Sequence, residues 1–151
     1  MIDELLLTAE ALLRDSQNPA SRRRAVSATY YAVFHALAEL ASKSLLPDVS
    51  SDSWEYVRTY RSLDHGPLKS VFLQLPLKDD ARFRIIGQSV VQLQVERNRA
   101  DYLPNEPSLF PSTQAADLIA QARNVIAALR SLGDEEKRKL AVCLLFRVRQ
   151  E

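Results

Sequence analysis

Glycine is scarce. Three in 151 residues leave little material for tight strand hairpins or for the glycine-rich loops that cradle phosphates. One cysteine, Cys143, excludes an internal disulfide, and two histidines are too few for a familiar Cys/His zinc set. No cofactor is implied. No apolar run reaches the roughly 20 residues of a membrane span, and the opening, with Asp3 and Glu4, is unlike a secretory signal. The expected location is cytoplasmic, away from membranes. An excess of one charge is also missing. Twenty basic against 19 acidic residues give a net charge of +1, so binding to nucleic acid needs a local patch. What is plentiful is hydrophobic residues, 46% of the chain, beside 26% charged, an ordinary balance for a globular protein. The length suits one domain with a sizeable core, spanning residues 1–151, and is too short to expect two.

The most informative stretch is residues 22–41. At helical spacing, Ala25, Val26, Tyr30, Ala32, Val33, Phe34, Ala36, Leu37 and Leu40 cover an arc of roughly 200°. Opposite lies a narrow polar stripe of Arg24, Ser27, Tyr31, His35 and Glu39. An arc that wide cannot be buried against one neighbour, so this central helix is expected among several others, with its alanines allowing close approach. Asn18-Pro19 supplies an N-cap and a first helical residue. Two readings of the stripe stand: the solvent side of an amphipathic helix, or one wall of a cleft.

Residues 2–16 read as a first helix through Leu5, Ala9, Leu12 and Leu13, and Pro47 should stop the central helix near Leu46. Asp52 with Glu55 suggests a capping box opening a short helix. Asp64-His65-Gly66-Pro67 signals a turn, followed by a short apolar segment, 68–75, closed by Pro76. Three prolines make residues 103–111 a loop. Ser112 is expected to cap a helix that Gly133 ends. Residues 134–150 begin acidic and end basic, which suits a helix dipole. Their middle, 140–146, is apolar nearly all round: an inner helix, a subunit contact or a short strand.

Residues 79–102 form the second long helix. Phe83, Ile86, Val90, Leu93 and Arg97 advance in alternating steps of three and four, which marks a core-facing seam. Arg97 therefore stands where an apolar residue belongs. Asp101, one turn on, can pair with it. A charge on a seam is costly to bury unless paired and hydrogen-bonded. Arg97 is either a satisfied structural ion pair or the lining of a cleft that meets an anion.

Two segments together resemble a known family. Ser27, Tyr30-Tyr31-Ala32 and Phe34-His35 resemble the second helix of small prokaryotic HEPN-domain proteins, and Arg97…Ala100-Asp101-Tyr102 is similar to an Arg…Ala-Asp-Tyr motif of the same uncharacterised subgroup. Between them His65-Gly66 followed by Phe72 resembles its His-Gly…Phe element. The likeness runs over roughly residues 22–129. It implies an all-α, up-and-down bundle of four to five helices, here with extra short helices and a C-terminal helix. A homodimer is implied, with a cleft built from the Arg-bearing helix. It further implies a toxin–antitoxin-type setting, a minimal nucleotidyltransferase as partner, and nucleotidylation of a tyrosine near the motif, here Tyr102. Many members are metal-independent ribonucleases using an Arg and a His shortly after it.

This chain departs from that pattern. Tyr102, Leu103 and Pro104 follow Asp101, and none is histidine. Metal-free RNA cleavage needs a base for the 2′-hydroxyl and an acid for the leaving oxygen, most simply groups titrating near neutrality. A phenol, at about pH 10, and a carboxylate paired with arginine do not qualify. His35 and His65 are the remaining candidates. Should the polar stripe face Arg97 and Asp101, then Arg97, His35, Tyr31 and Ser27 would form an anion site, with Arg97 as a planar fork. The same groups could instead form a hydrogen-bond network tying two helices. His65 could fix its turn, and Arg22-Arg23-Arg24 reads as a solvated helix start unless a dimer pairs two copies. Three functions stand: a module binding RNA, a nucleotide or its partner protein; a ribonuclease with His35 and Arg97 in a rearranged site; a structural dimer.

Overall fold

A computed structural model describes residues 1–149, and all its regular structure is helical. The elements are α1 (Ile2–Leu13), α2 (Pro19–Leu45), α3 (Trp54–Tyr60), α4 (Leu68–Val71), a 3-10 turn (Leu77–Asp79), α5 (Ala81–Tyr102), α6 (Ser112–Ser131) and α7 (Asp134–Leu145). The all-α class is as expected. No helix of the described residues is long and apolar enough to cross a membrane.

Contacts divide the chain into two compact units, residues 1–35 with 88–127 and residues 36–87 with 128 onward. In the first unit, Ala9, Ala25 and Ile119 meet in one cluster, with Leu12, Leu13 and Ala28 packed on it. Small side chains let α1, α2 and α6 approach closely there. Glu10 and Arg123 join α1 to α6, and Gln121 donates to Gln92 across α6 and α5 at 3.1 Å. Asn18 caps α2 as its sequence suggests, its Oδ1 accepting from the Ala20 amide at 3.0 Å. The loop 103–111 folds over this unit with Phe110 fully buried at a φ of 55°. That left-handed backbone costs about 1–2 kcal/mol for a non-glycine residue. Burying a phenyl ring, worth about 1.5–3 kcal/mol, offsets it.

In the second unit, α4 packs on α7, with Leu68, Val71, Leu140, Ala141 and Leu144 all buried. The seam on α5 is buried along its whole length, through Phe83 and Ile86 in this unit and Val90, Leu93 and Arg97 in the first. Four caps differ from expectation, beginning with Ser112, which is the first helical residue of α6 and not its cap. Ser53 caps α3, accepting from the Tyr56 amide at 3.2 Å, because the Asp52 carboxylate is taken by the Ser50 hydroxyl. Asp80 opens α5, accepting from the Arg82 amide at 2.9 Å, while Asp79 closes the 3-10 turn before it. Gly133, with extended backbone (φ −70°, ψ 168°), is the N-cap of α7 and not the left-handed end of α6. The acidic first turn of α7, Asp134 to Glu136, matches the dipole. Residues 140–145 are helical, so the strand reading is excluded, and the chain turns extended at Phe146.

Gly87 is needed for a close approach. A Cβ there would stand 2.5 Å from the Cβ of Phe72 and 2.6 Å from its Cγ, atoms too near the backbone to swing aside. Helix propensity favours alanine over glycine by up to about 1 kcal/mol, yet overpacking costs about 1–3 kcal/mol. Gly87→Ala should therefore lower stability in urea unfolding, and the penalty should shrink in a Phe72→Gly background, which alone removes the nearest atom.

Candidate functional site

The site grows from the seam of α5. Arg97 falls four residues after Leu93, one turn along the same face, so its side chain is carried into the first unit and is only 7% exposed. It meets α2 there. Its guanidinium lies 5.0 Å from the ring centre of Tyr30 and 5.7 Å from that of Tyr31. The two rings stand edge to face, 5.5 Å apart. A cation over aromatic faces gains about 0.5–2 kcal/mol. That is less than the several kcal/mol of desolvation a buried charge incurs. Asp101 supplies the opposite charge at 3.8 Å from Nη1, which is an ion-pair distance and longer than a hydrogen bond. Nε of Arg97 has no hydrogen-bond partner.

The neighbouring arginines differ. Arg22, 8% exposed, donates from Nη1 to the Ser16 carbonyl at 2.6 Å and from Nη2 to the Pro107 carbonyl. Arg23 donates from Nε to the Ala100 carbonyl at 2.6 Å, from Nη1 to the Pro104 carbonyl at 3.3 Å, and from Nη2 to the Leu103 carbonyl. It thereby satisfies carbonyls at the end of α5, where a cation also complements the dipole. The basic triplet is thus not a solvated helix start. Arg22 and Arg23 brace the 103–111 loop, and Arg24 alone is exposed. Because Arg23 meets residues 100–104 while Tyr30 and Tyr31 meet Arg97, α2 and α5 run antiparallel in this unit.

Of the residues picked out by sequence, Arg97, Tyr31 and Asp101 come together. Ser27, one turn before Tyr31, is buried. His35, one turn after it, is half-buried on the same side of α2. The polar stripe is therefore not simply a solvent side. Tyr102 ends α5 76% exposed. His65 lies in the second unit, at a turn where the Asp64 carboxylate accepts from the Gly66 amide. The residue missed by sequence reasoning is Tyr30. It sits on the apolar arc and is fully buried, and that burial, outweighing the pull of the Arg97 guanidinium, pushes its phenol up to about 12. The available signal was chemical: a tyrosine on a core face needs a partner for its polar end.

Among the described residues no group of three or more His, Cys, Asp or Glu could hold a metal ion. Comparison with known proteins finds no matching family model, no matching curated protein and no matching solved structure.

Burial, helped by the N-terminal ammonium, holds the His35 imidazole below its ordinary value of 6.5. The fold thus favours the neutral ring, and the unfolded chain takes up its proton first as pH falls. Stability from this group is complete above the unfolded value and is lost as the pH falls below it, until the folded ring is protonated too. Denaturation midpoints should fall across that window, and His35→Gln should make the fall shallower.

Proposed function

We propose that this chain is a HEPN-like binding module, working in the cytoplasm in a toxin–antitoxin-type pair with a minimal nucleotidyltransferase. In this reading it holds a phosphate of RNA or of a nucleotide at Arg97 without cleaving it. The observation that carries the reading is the incomplete pairing of Arg97. Arg22 and Arg23 spend their donors on backbone carbonyls. Arg97 shares with Arg22 an Nε without a partner, but its other donors meet the Tyr30 hydroxyl and a carboxylate beyond hydrogen-bond distance, and no backbone carbonyl. A guanidinium set against rings is a preformed fork for an oxyanion, which would bring two short charge-assisted bonds. Of the two rings beside it, Tyr31, half-buried, is the one a nucleobase could reach.

The lack of cleavage follows from proton inventory. The unit carrying Arg97 contains one histidine, His35, whose neutral state suits a base, but no second histidine beside it to act as acid. Tyr30, pushed up to about 12, does not serve. The neutral state of His35 is also what favours the second reading, a ribonuclease using His35 and Arg97.

The test is binding of fluorescent ATP and of tRNA at low salt, with cleavage of tRNA and mRNA followed in EDTA. Wild type should bind and leave RNA intact. Arg97→Ala should weaken binding at least about ten-fold, and Arg97→Lys, a point charge without the fork, should fall between. Cleavage that disappears in both His35→Ala and Arg97→Ala would establish the enzyme instead. Arg97→Ala that lowers the melting temperature and leaves binding intact would leave a structural role, as in a plain homodimer. Mass measurement after co-expression with a minimal nucleotidyltransferase reads whether the exposed Tyr102 gains AMP.

A further inference from the structure

The second unit carries an open-sided groove of about 860 Å³ that the reading above does not use. One wall is the segment from Gly66 to Pro76, with Val71 and Leu75. The other is the end of α7 and the extended chain after it, with Val142, Cys143, Phe146 and Val148. Its rim is unusually apolar for surface. Leu75 is 62% exposed, Phe146 61% and Val148 85%. Contiguous exposed apolar side chains of this size mark interaction sites more often than idle surface.

Charge indicates the occupant. From residue 137 to 149 the chain carries Lys137, Arg138, Lys139, Arg147 and Arg149 and no carboxylate. Lys139 stands one turn before Cys143 on α7, and Arg147 lines the same wall beyond Phe146. Acids flank the run at the first turn of α7 and at Asp64, 3.6 Å from Arg147 with both side chains well exposed, a pairing that is weak in water. Apolar walls with cations along one side fit a segment with an apolar face flanked by carboxylates. A second copy presenting the same face would bring two sets of these cations together, which is unfavourable.

The geometry points to this groove as a docking site for an acidic, amphipathic segment of a partner protein, with Phe146 and Val148 as its apolar anchors and Lys139 and Arg147 as its charge readers. Anchor side chains near the centre of such a patch carry most of the binding energy, and rim cations set the salt dependence.

Cys143, the sole cysteine, makes occupancy measurable. A phage-displayed library of random peptides is selected on the full chain, and the consensus peptide is then tested for slowing alkylation of Cys143. The expected result is enrichment of sequences with Asp or Glu flanking large apolar residues, and Cys143 protection of about ten-fold or more that weakens with salt. Phe146→Glu and Val148→Glu, both at exposed positions, should keep the wild-type melting temperature and lose the selection. Enrichment of basic or uncharged sequences, or no enrichment, overturns the proposal. So does Cys143 protection that rises with protein concentration alone alongside a dimer in light scattering, since a second copy would then fill the groove.

Discussion

A guanidinium on a core seam dictates much of what surrounds it in the first unit. Arg97 continues the line of Val90 and Leu93, so the helix that buries those residues must bury a charge as well. Taking that charge from water costs several kcal/mol. The offset is spread over weak contributions: the faces of Tyr30 and Tyr31, and a carboxylate at 3.8 Å. The two ring contacts require α2 to lie beside α5 at one register, whereas Asp101 belongs to α5 itself and comes with the helix.

Three consecutive arginines and a fourth further along show how context divides a single residue type. Arg22 and Arg23 spend their donors on carbonyls of the chain around them, holding the proline-rich loop to the start of α2. Arg24 goes to solvent. Arg97 is buried like Arg22 and, like it, has an Nε without a partner. But where Arg22 spends its terminal donors on carbonyls, Arg97 meets two rings, the Tyr30 hydroxyl and a carboxylate at ion-pair distance. That difference is why it, and not the more conspicuous basic triplet, is the centre of the proposed site. The same contrast makes the near-neutral net charge compatible with anion binding: one positioned guanidinium in a poorly hydrated setting interacts more strongly than several on open surface.

The legible parts of the fold were those set by local chemistry. The alternating steps along α5 identified the buried line from Phe83 to Arg97 and stopped one step short of Ala100, which is also buried, and Asn18-Pro19 marked the start of α2. Caps failed where neighbouring side chains compete. Asp52 and Ser53 are both good caps, and the choice fell to Ser53 because a serine hydroxyl two residues before Asp52 claimed its carboxylate. Gly133 was read as an ending because glycine often closes helices, yet its extended backbone begins the next one. Tyr30 was hidden by its own hydrophobicity: periodicity assigns it to the core, which is correct, and says nothing of the cation laid against it.

Periodicity, helix-stopping prolines and the scarcity of glycine were enough to establish an all-helical chain, the approximate limits of its long helices and the anomaly of a charge on an apolar line. They could do so because each depends on residues within a few turns of one another. Which arginine meets carbonyls and which meets aromatic rings depends on contacts between positions about seventy or more residues apart, such as Arg23 with Ala100 and Arg97 with Tyr30. Those are settled by how the helices pack. A side chain's partner across a helix interface is set by register and approach, and neither is written in the spacing of its own helix.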